Sequence, residues 1–307
     1  MLYVDNQNNN DPRINLALEE YLLRQVDNPE PLVLFYINEP AGILGRNQNT
    51  IEEIDPDYVQ SHGIHVVRRL SGGGAVYHDL GNLNFSFVTN GRADLHNFAR
   101  FTEPVIASLR RMGVAAELRG RSDIFANGRK ISGNAQYATT TRMFSHGTLL
   151  FDTDLGEMLR AINPRGIEIE SKAVQSIRSY VANIRDLLPE QMTIDALKRA
   201  LLTEIFGEAL PPQLHLAEND WSAVAQLAET RYGTWEWNVG RSPQFNVQRS
   251  ERLAAGKLDA RLQISQGRIQ SVRLFGDFSG DLAVAGLESL LIGVAYERDR
   301  LTEALEG

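Results

Sequence analysis

The chain has 307 residues, 43% hydrophobic and 23% charged, with a net charge of -8 from 31 basic and 39 acidic side chains and no cysteine. That length predicts two domains, or one large domain with an appendage, and the acidic balance argues against non-specific nucleic-acid binding. The absence of cysteine excludes disulfides, thiolate zinc sites and an acyl-thioester on the protein. No apolar run is long enough to span a bilayer and no charged-then-apolar leader opens the chain, so the expected location is the cytoplasm, without membrane contact.

The first predicted element is a helix over 11–25. Asp11 suits the N-cap, Pro12 the first turn, and Ile14, Leu16, Ala17, Leu18, Tyr21 and Leu22 form its apolar face. Strands follow at 32–37 and 41–44. The polar run Gly45–Asn49 at the second strand's end reads equally as a site edge or a solvated turn. A short helix over 54–62 stops at Gly63. His62 and His65 have an inviting spacing for a metal, but Gly63 breaks any helix between them and no carboxylate completes a set.

A strand at 64–67 then leads into Arg68-Arg69-Leu70-Ser71-Gly72-Gly73-Gly74-Ala75-Val76-Tyr77-His78-Asp79, and a second strand follows at 83–88. Each extra glycine in a turn loses backbone entropy on folding. Three in succession make sense where backbone N–H groups must approach a ligand unobstructed. The two arginines suggest that the ligand is an anion, since guanidinium matches carboxylate and phosphate oxygens. The plainer reading is a glycine-rich hairpin with surface arginines. The run is not a Walker A loop, because no Gly-Lys-Ser/Thr follows at the right spacing. It is not a dinucleotide fingerprint either, because its glycines are contiguous and a strand follows.

An amphipathic helix is predicted over 95–112, with Phe98, Val105, Ile106, Leu109 and Met112 inward. Asn127-Gly128 then signals a two-residue hairpin turn. A turn there opposes Ala126 to Arg129, Phe125 to Lys130, Ile124 to Ile131 and Asp123 to Ser132. Ile124 and Ile131 take the core face, while Asp123, Phe125, Lys130 and Ser132 share the other. The plainer reading is a solvent-facing hairpin with an exposed Lys–Asp diagonal. A strand over 144–151 carries His146, which alone reads as a core histidine.

Residues 167–186 are polar, carry Lys172, Arg178 and Arg185, and read as a long loop of the sort that often forms lids. Helices are predicted over 194–206, capped by Thr193, and from an Asn219 cap to Tyr232, followed by Trp235 and Trp237. Beyond Val247 the texture changes: alternating strands at 257–264 and 268–275 flank Gln266-Gly267, then come helices at 282–294, capped by Asp281, and 297–305. The expected division is 1–245 and 246–307, the second part a small α+β accessory domain. There is no internal repeat or low-complexity segment.

The glycine run resembles the lipoate-binding loop of the lipoate–protein ligase A family, within the biotin/lipoate ligase superfamily. Five further blocks carry the resemblance in family order. They are Asn15-Leu16-Ala17-Leu18-Glu19-Glu20, Asn127-Gly128-Arg129-Lys130-Ile131-Ser132-Gly133-Asn134-Ala135, His146-Gly147-Thr148-Leu149-Leu150, Glu170-Ser171-Lys172, and Ser176 with Arg178. Ser122 stands where an Asn is common in the family. The resemblance implies an α+β fold: a large mixed-sheet catalytic domain of biotin/lipoate ligase type with the small C-terminal domain. It implies a ligase that uses ATP and Mg²⁺ to turn lipoate into lipoyl-AMP. The lipoyl group then passes to a lysine of lipoyl domains, on E2 subunits of 2-oxo-acid dehydrogenases or on the glycine-cleavage H protein. It implies Lys130 as the catalytic residue. Arg69, Gly74, Ala75, Val76, Tyr77, Asp123 and Lys172 would join it at ATP and the adenylate, with the segment from Glu170 closing over the bound adenylate. Ser71, Gly72, Gly73, His78 and His146 would join it at lipoate. Asp123 is the candidate metal ligand, Val76, Phe35 and Phe85 the candidate apolar lining, and a monomer the expected state. The competing readings are an ATP-independent lipoyl or octanoyl transferase, separated by its lack of an ATP requirement, and a silent binding module, separated by lipoate consumption. The Gly-Arg-Gly-Arg-type loop of biotin ligases is absent.

Overall fold

A computed structural model describes residues 1–162, 180–207, 210–253, 256–276 and 284–306. Two compact units result: Met1–Arg46 with Ile51–Gly233, and Asn47–Thr50 with Thr234–Gly307.

In the first unit, strand β1 (Leu2–Val4) is followed by helix α1 (Pro12–Arg24), β2 (Leu32–Ile37) and β3 (Ala41–Leu44). Asp11 caps α1 as expected, its carboxylate accepting from the Arg13 N–H at 2.8 Å. An unexpected helix α2 (Thr50–Glu53) comes next, and the helix expected over 54–62 is the shorter α3 (Pro56–Ser61), which starts late because Asp55 is its cap, accepting from the Tyr58 N–H at 2.9 Å. Next come β4 (His65–Arg68), β5 (Val76–His78), β6 (Asn82–Asn90) and helix α4 (Phe98–Arg111). The hairpin region is β7 (Ala116–Arg119), β8 (Asp123–Ala126) and β9 (Arg129–Ser132). Strands β10 (Asn134–Ala138) and β11 (Arg142–Leu150) and helix α5 (Leu155–Ala161) complete this run. Helices Ile194–Phe206 and Glu218–Leu227 follow. The latter begins at Ala217, not Asn219: the Asp220 carboxylate reaches back to the Ala217 N–H at 2.7 Å.

Three sheets position the site. A five-stranded sheet has the order β1-β2-β6-β11-β10, and three-stranded sheets have the orders β4-β3-β5 and β7-β8-β9. Strand alternation divides the large sheet cleanly. Val33, Phe35, Leu83, Phe85, Phe87, Met143 and Leu149 bury against Phe101, Val105, Ile106 and Leu109 of α4 and Leu197 and Leu201 of the Ile194–Phe206 helix. Each such side chain contributes about 1.5–3 kcal/mol on burial. The opposite face carries Tyr36, Asn84, Ser86 and His146, with Tyr36 paired to Asn84 and Ser86 to His146. Those polar groups are buried, and α1 packs on the strands that carry Asn84, Ser86 and His146.

The second unit is an antiparallel meander, β12 (Phe245–Leu253), β13 (Gly256–Ser265) and β14 (Arg268–Gly276), with helices Val284–Leu291 and Arg298–Glu306. Ile264, Ile269, Val272 and Leu291 form its core. β12 escapes sequence reading because it alternates weakly and carries a run of polar residues. The expected Asp281 cap lies outside the described residues.

Candidate active site

A cavity of about 230 Å³ opens in the first unit where its three sheets converge. The large sheet contributes Tyr36, Asn84, Ala135, His146 and Thr148, and α1 contributes Leu16. The small sheet and glycine loop contribute Ile43, Arg69, Gly73, Gly74, Ala75, Val76 and His78. The hairpin side supplies Ser122, Asp123, Lys130 and Gly133, and Asn134 joins them from the start of β10 in the large sheet.

Lys130 and Asp123 meet across the hairpin. Lys130 Nζ lies 2.9 Å from Asp123 Oδ2, and both side chains keep over a quarter of their surface exposed. Asn127 and Gly128 take positive φ of 50° and 77°, as a two-residue turn with a primed geometry requires. The register follows expectation at Phe125–Lys130 and Ala126–Arg129, then shifts by one at a bulge, so that Ile124 opposes Ser132 rather than Ile131. Ile124 and Ile131 are both buried as expected, and past the bulge Ser132 is buried as well, away from the face predicted for it. The chain returns to this strand at Val181, which bridges to Lys130, and the Ala182 N–H donates to the Lys130 carbonyl at 3.0 Å.

The glycine loop is shaped from within by Arg69. Its Nε donates to Ser71 Oγ at 3.0 Å and its Nη1 to the Ile43 carbonyl at 3.1 Å. Its Nη2 donates to the carbonyls of Gly72 at 2.7 Å and Gly74 at 2.8 Å. A guanidinium has five N–H donors, so one remains for an anion. Burial lowers the Arg69 pKa to about 10, still cationic at neutral pH. In a trans peptide the next N–H points opposite to the carbonyl. With the Gly72 and Gly74 carbonyls turned onto Arg69, the N–H groups of Gly73 and Ala75 are turned away from it. Among the described residues nothing accepts from the N–H groups of Gly72 to Ala75.

Only one of the three glycines is demanded by the loop itself. Gly73 has φ +97°, and a Cβ there would stand 3.0 Å from Arg69 Nη2. A Cβ on Gly72 or Gly74 would meet nothing within 4 Å. The open space above Gly74, on the cavity wall, matches the idea of a ligand approaching bare backbone.

The two histidines present opposite nitrogens. Asn38 Nδ2 donates to His78 Nδ1 at 2.9 Å, and Asn38 Oδ1 in turn accepts from Asn15 Nδ2 at 2.8 Å. This places the His78 proton on Nε2, a buried donor without a partner among the described residues. Burial, and then the charge of Arg69, depresses the His78 pKa to about 3, so the ring is neutral. His146 instead holds Ser71 Oγ at 2.7 Å through Nε2 and the Glu19 carboxylate at 2.9 Å through Nδ1.

The structure thus brings Arg69, Gly73, Gly74, Ala75, Val76, His78, Asp123, Lys130 and His146 to one cavity. Three expected members are not on its wall. Ser71 is fully buried behind the loop, Gly72 is exposed outside it, and Tyr77 turns into the core, its hydroxyl donating to Glu157 Oε2 at 2.5 Å. Lys172, with Glu170, Ser171, Ser176 and Arg178, lies outside the described residues. Of the expected apolar lining Val76 is present, whereas Phe35 and Phe85 sit on the α4 face of the sheet, where strand alternation sends them. Sequence reading missed Tyr36, Asn84 and Glu19. Polar residues amid apolar strands, and a carboxylate on the apolar side of α1, were the available signals.

Among the described residues no group of three His, Cys, Asp or Glu side chains could hold a metal. Asp123 as a single carboxylate fits a Mg²⁺ that takes most of its oxygens from phosphates and water; it does not fit an all-protein metal site.

The family model for the lipoyl protein ligase A/B catalytic domain matches residues 11–206, and that for the bacterial lipoate protein ligase C-terminus matches residues 242–307. A relative from Bacillus subtilis, lipoate-protein ligase LplJ, is 51% identical over 311 residues, covering 100% of this chain and 94% of that protein. The fold is similar to a bi-partite lipoate protein ligase of Thermoplasma acidophilum, solved in a study of it and its E2 lipoyl domain. The TM-score is 0.70 at 30% identity, over 78% of this chain and 96% of that one. It is also similar to a lipoate-protein ligase A solved with bound ATP, with a TM-score of 0.65 at 31% identity, over 78% of this chain and 97% of that one. With the cavity's residues falling inside the first matched segment, the chain belongs to the lipoyl protein ligase A/B family.

Proposed function

We propose that this protein is an ATP-dependent lipoate–protein ligase that forms lipoyl-AMP and transfers the lipoyl group to a lysine of an acceptor domain. The observation that carries the reading is the pairing, on one cavity, of a lysine with a glycine loop whose N–H groups have no acceptor among the described residues. A relative named as a lipoate–protein ligase and a neighbour solved with ATP support it.

Joining an acid to an amine at neutral pH needs activation of the acid. A lipoate carboxylate oxygen attacks the α-phosphorus of ATP, and the bond to the pyrophosphate oxygen breaks. Both reactants are anionic, so the site must supply positive charge and alignment. Lys130 Nζ, held beside Asp123, is placed to bridge the carboxylate and α-phosphate oxygens. One such charge pair at 4 Å is worth about 4 kcal/mol at an effective dielectric near 20. Realised only in the transition state, that is roughly 10³-fold in rate. The Gly73–Val76 backbone holds phosphate oxygens, assisted by the remaining Arg69 N–H. His78 Nε2–H and the His146 wall face the lipoate. Asp123 would hold Mg²⁺, which supplies charge neutralisation on the pyrophosphate when bound. In the second half-reaction the acceptor amine attacks the acyl carbon, AMP leaves with the bonding electrons, and the amine loses a proton.

The acceptor belongs to the same proposal: a lipoyl domain of a 2-oxo-acid dehydrogenase E2 subunit or the glycine-cleavage H protein. So do the division into a catalytic part, residues 1–245, and an accessory part, residues 246–307, and action as a cytoplasmic monomer. In support of the location, no helix among the described residues is long and apolar enough to cross a membrane.

The test is incubation with ATP, Mg²⁺, lipoate and an apo lipoyl domain, read by acceptor mass, with Lys130→Ala alongside. A lipoyl mass gain that requires ATP, and falls about 10³-fold in the variant, is expected. A gain without ATP would replace the ligase reading with that of an acyl transferase.

A further inference from the structure

Behind the glycine loop lies a line of four buried side chains: Arg69, Ser71, His146 and Glu19. The direction of the links is set from the Glu19 end. The Glu19 carboxylate can only accept, so His146 carries its proton on Nδ1, 2.9 Å away. In a ring with a single proton, Nε2 is then a lone pair, to which Ser71 Oγ–H donates over 2.7 Å. The Ser71 oxygen is left to accept from Arg69 Nε at 3.0 Å. Arg69, so oriented, holds the Gly72 and Gly74 carbonyls through Nη2.

The ends of the line carry opposite charges. No carboxylate touches Arg69 among the described residues, and an unbalanced buried cation is costly. Against burial, which lowers the Arg69 pKa, Tyr36 and then Glu19 act to raise it, and Glu19 is the carboxylate of the two. The guanidinium and the carboxylate stand at the two ends of one hydrogen-bonded line through Ser71 and His146.

Carboxylate, histidine and serine here have the hydrogen-bond order of a hydrolytic triad. The serine rules that chemistry out. Its oxygen is fully buried, absent from the cavity wall, and already engaged by Arg69.

We infer that Glu19 is a positioning residue for nucleotide binding: through His146 and Ser71 it fixes the direction of the hydrogen bonds that turn the glycine-loop carbonyls onto Arg69 and the loop N–H groups away from it, toward a phosphate. The role rests on the reading of that loop as the ATP-holding element. Glu19 makes no contact with ATP. It acts from α1, and its effect falls on phosphate affinity rather than on the chemical step.

The test compares the full-length protein with Glu19→Ala, Glu19→Gln and Ser71→Ala. Glutamine keeps an oxygen that accepts from His146 Nδ1–H; alanine does not. Nitrogen-15 NMR of the ligand-free protein reads the His146 tautomer and the order parameters of the Gly72–Gly74 amides. The wild type should carry its proton on Nδ1, with loop order parameters near 0.85; these should fall below about 0.6 in Glu19→Ala and Ser71→Ala and stay high in Glu19→Gln. The ATP dissociation constant should rise about tenfold in the first two variants and less than threefold in Glu19→Gln, with kcat little changed. Should Glu19→Ala fail to fold, Ser71→Ala and Glu19→Gln make the same comparison. A proton on Nε2, a loop equally ordered in all four proteins, or Glu19→Gln behaving as Glu19→Ala would overturn the inference. The NMR arm needs no nucleotide. A wild type that binds no ATP yet shows the expected loop behaviour would overturn the reading of the loop, and with it the nucleotide part of the role, and leave only the ordering of the loop by Glu19.

Discussion

Gly73 and Gly74 are neighbours with different obligations. Gly73 answers to the fold through its positive φ and its closeness to Arg69, and Gly74 answers only to what approaches it. Gly73→Ala should therefore destabilise the protein by about 1–2 kcal/mol, seen as a lowered Tm. Gly74→Ala should leave Tm within a degree or two and raise KM for ATP. Equal effects of the two would mean that the space above Gly74 is not a ligand path. His78 makes a second residue-scale prediction. Its folded pKa, about 3, lies below the ordinary histidine value of 6.5, so the unfolded chain binds the extra proton between those values. Stability from the neutral ring is complete above about pH 6.5 and is lost as pH falls toward 3, by at most about 1.4 kcal/mol per pH unit. Urea unfolding across pH 4–7 should show this slope. His78→Gln should flatten it.

At the scale of elements, the hairpin was the most legible part of the site. Asn127-Gly128 gave both the turn and the pairing of Phe125 with Lys130, because a two-residue loop fixes register locally. The bulge beyond it was not legible, since no residue type in the run marks it and the turn fixes only the pairs next to it. α1 and its Asp11 cap were likewise readable from local chemistry, whereas the short strands β1, β7 and β10 have no pattern of their own. Gly128 tests how far the turn governs the site. With φ of 77° it resists a side chain, and Gly128→Ala should lower stability by about 1 kcal/mol. Because Lys130 sits two residues away on the strand that leaves this turn, that change should reduce kcat for adenylate formation more than it alters KM. An unchanged kcat would show that the core, not the turn, aims Lys130.

At the scale of the whole molecule, the site is assembled from partners distant in sequence. Ser71 and His146 are 75 residues apart and His146 and Glu19 are 127 apart. Nothing in one sequence announces such meetings, which is why Glu19 read only as part of a helix. Tyr36 and Asn84 were hidden for a related reason. They lie on strands whose other face is core, and which face closes on a cavity depends on what the remaining sheets do. The charge balance follows the same logic. A chain of net charge -8 presents Arg69 and Lys130 together at one cavity, so anion recognition is a local property set against the global one.

The emptiness around Gly72 gives an experimental handle. It is exposed, lies off the cavity wall, and has room for a side chain, in a chain without a single thiol. Gly72→Cys would therefore create the molecule's only site for maleimide or spin-label attachment, one peptide from the loop's strained glycine and outside the ligand's path. A label there should report phosphate arrival as a change in probe mobility, in the native background, with no other residue to be removed first.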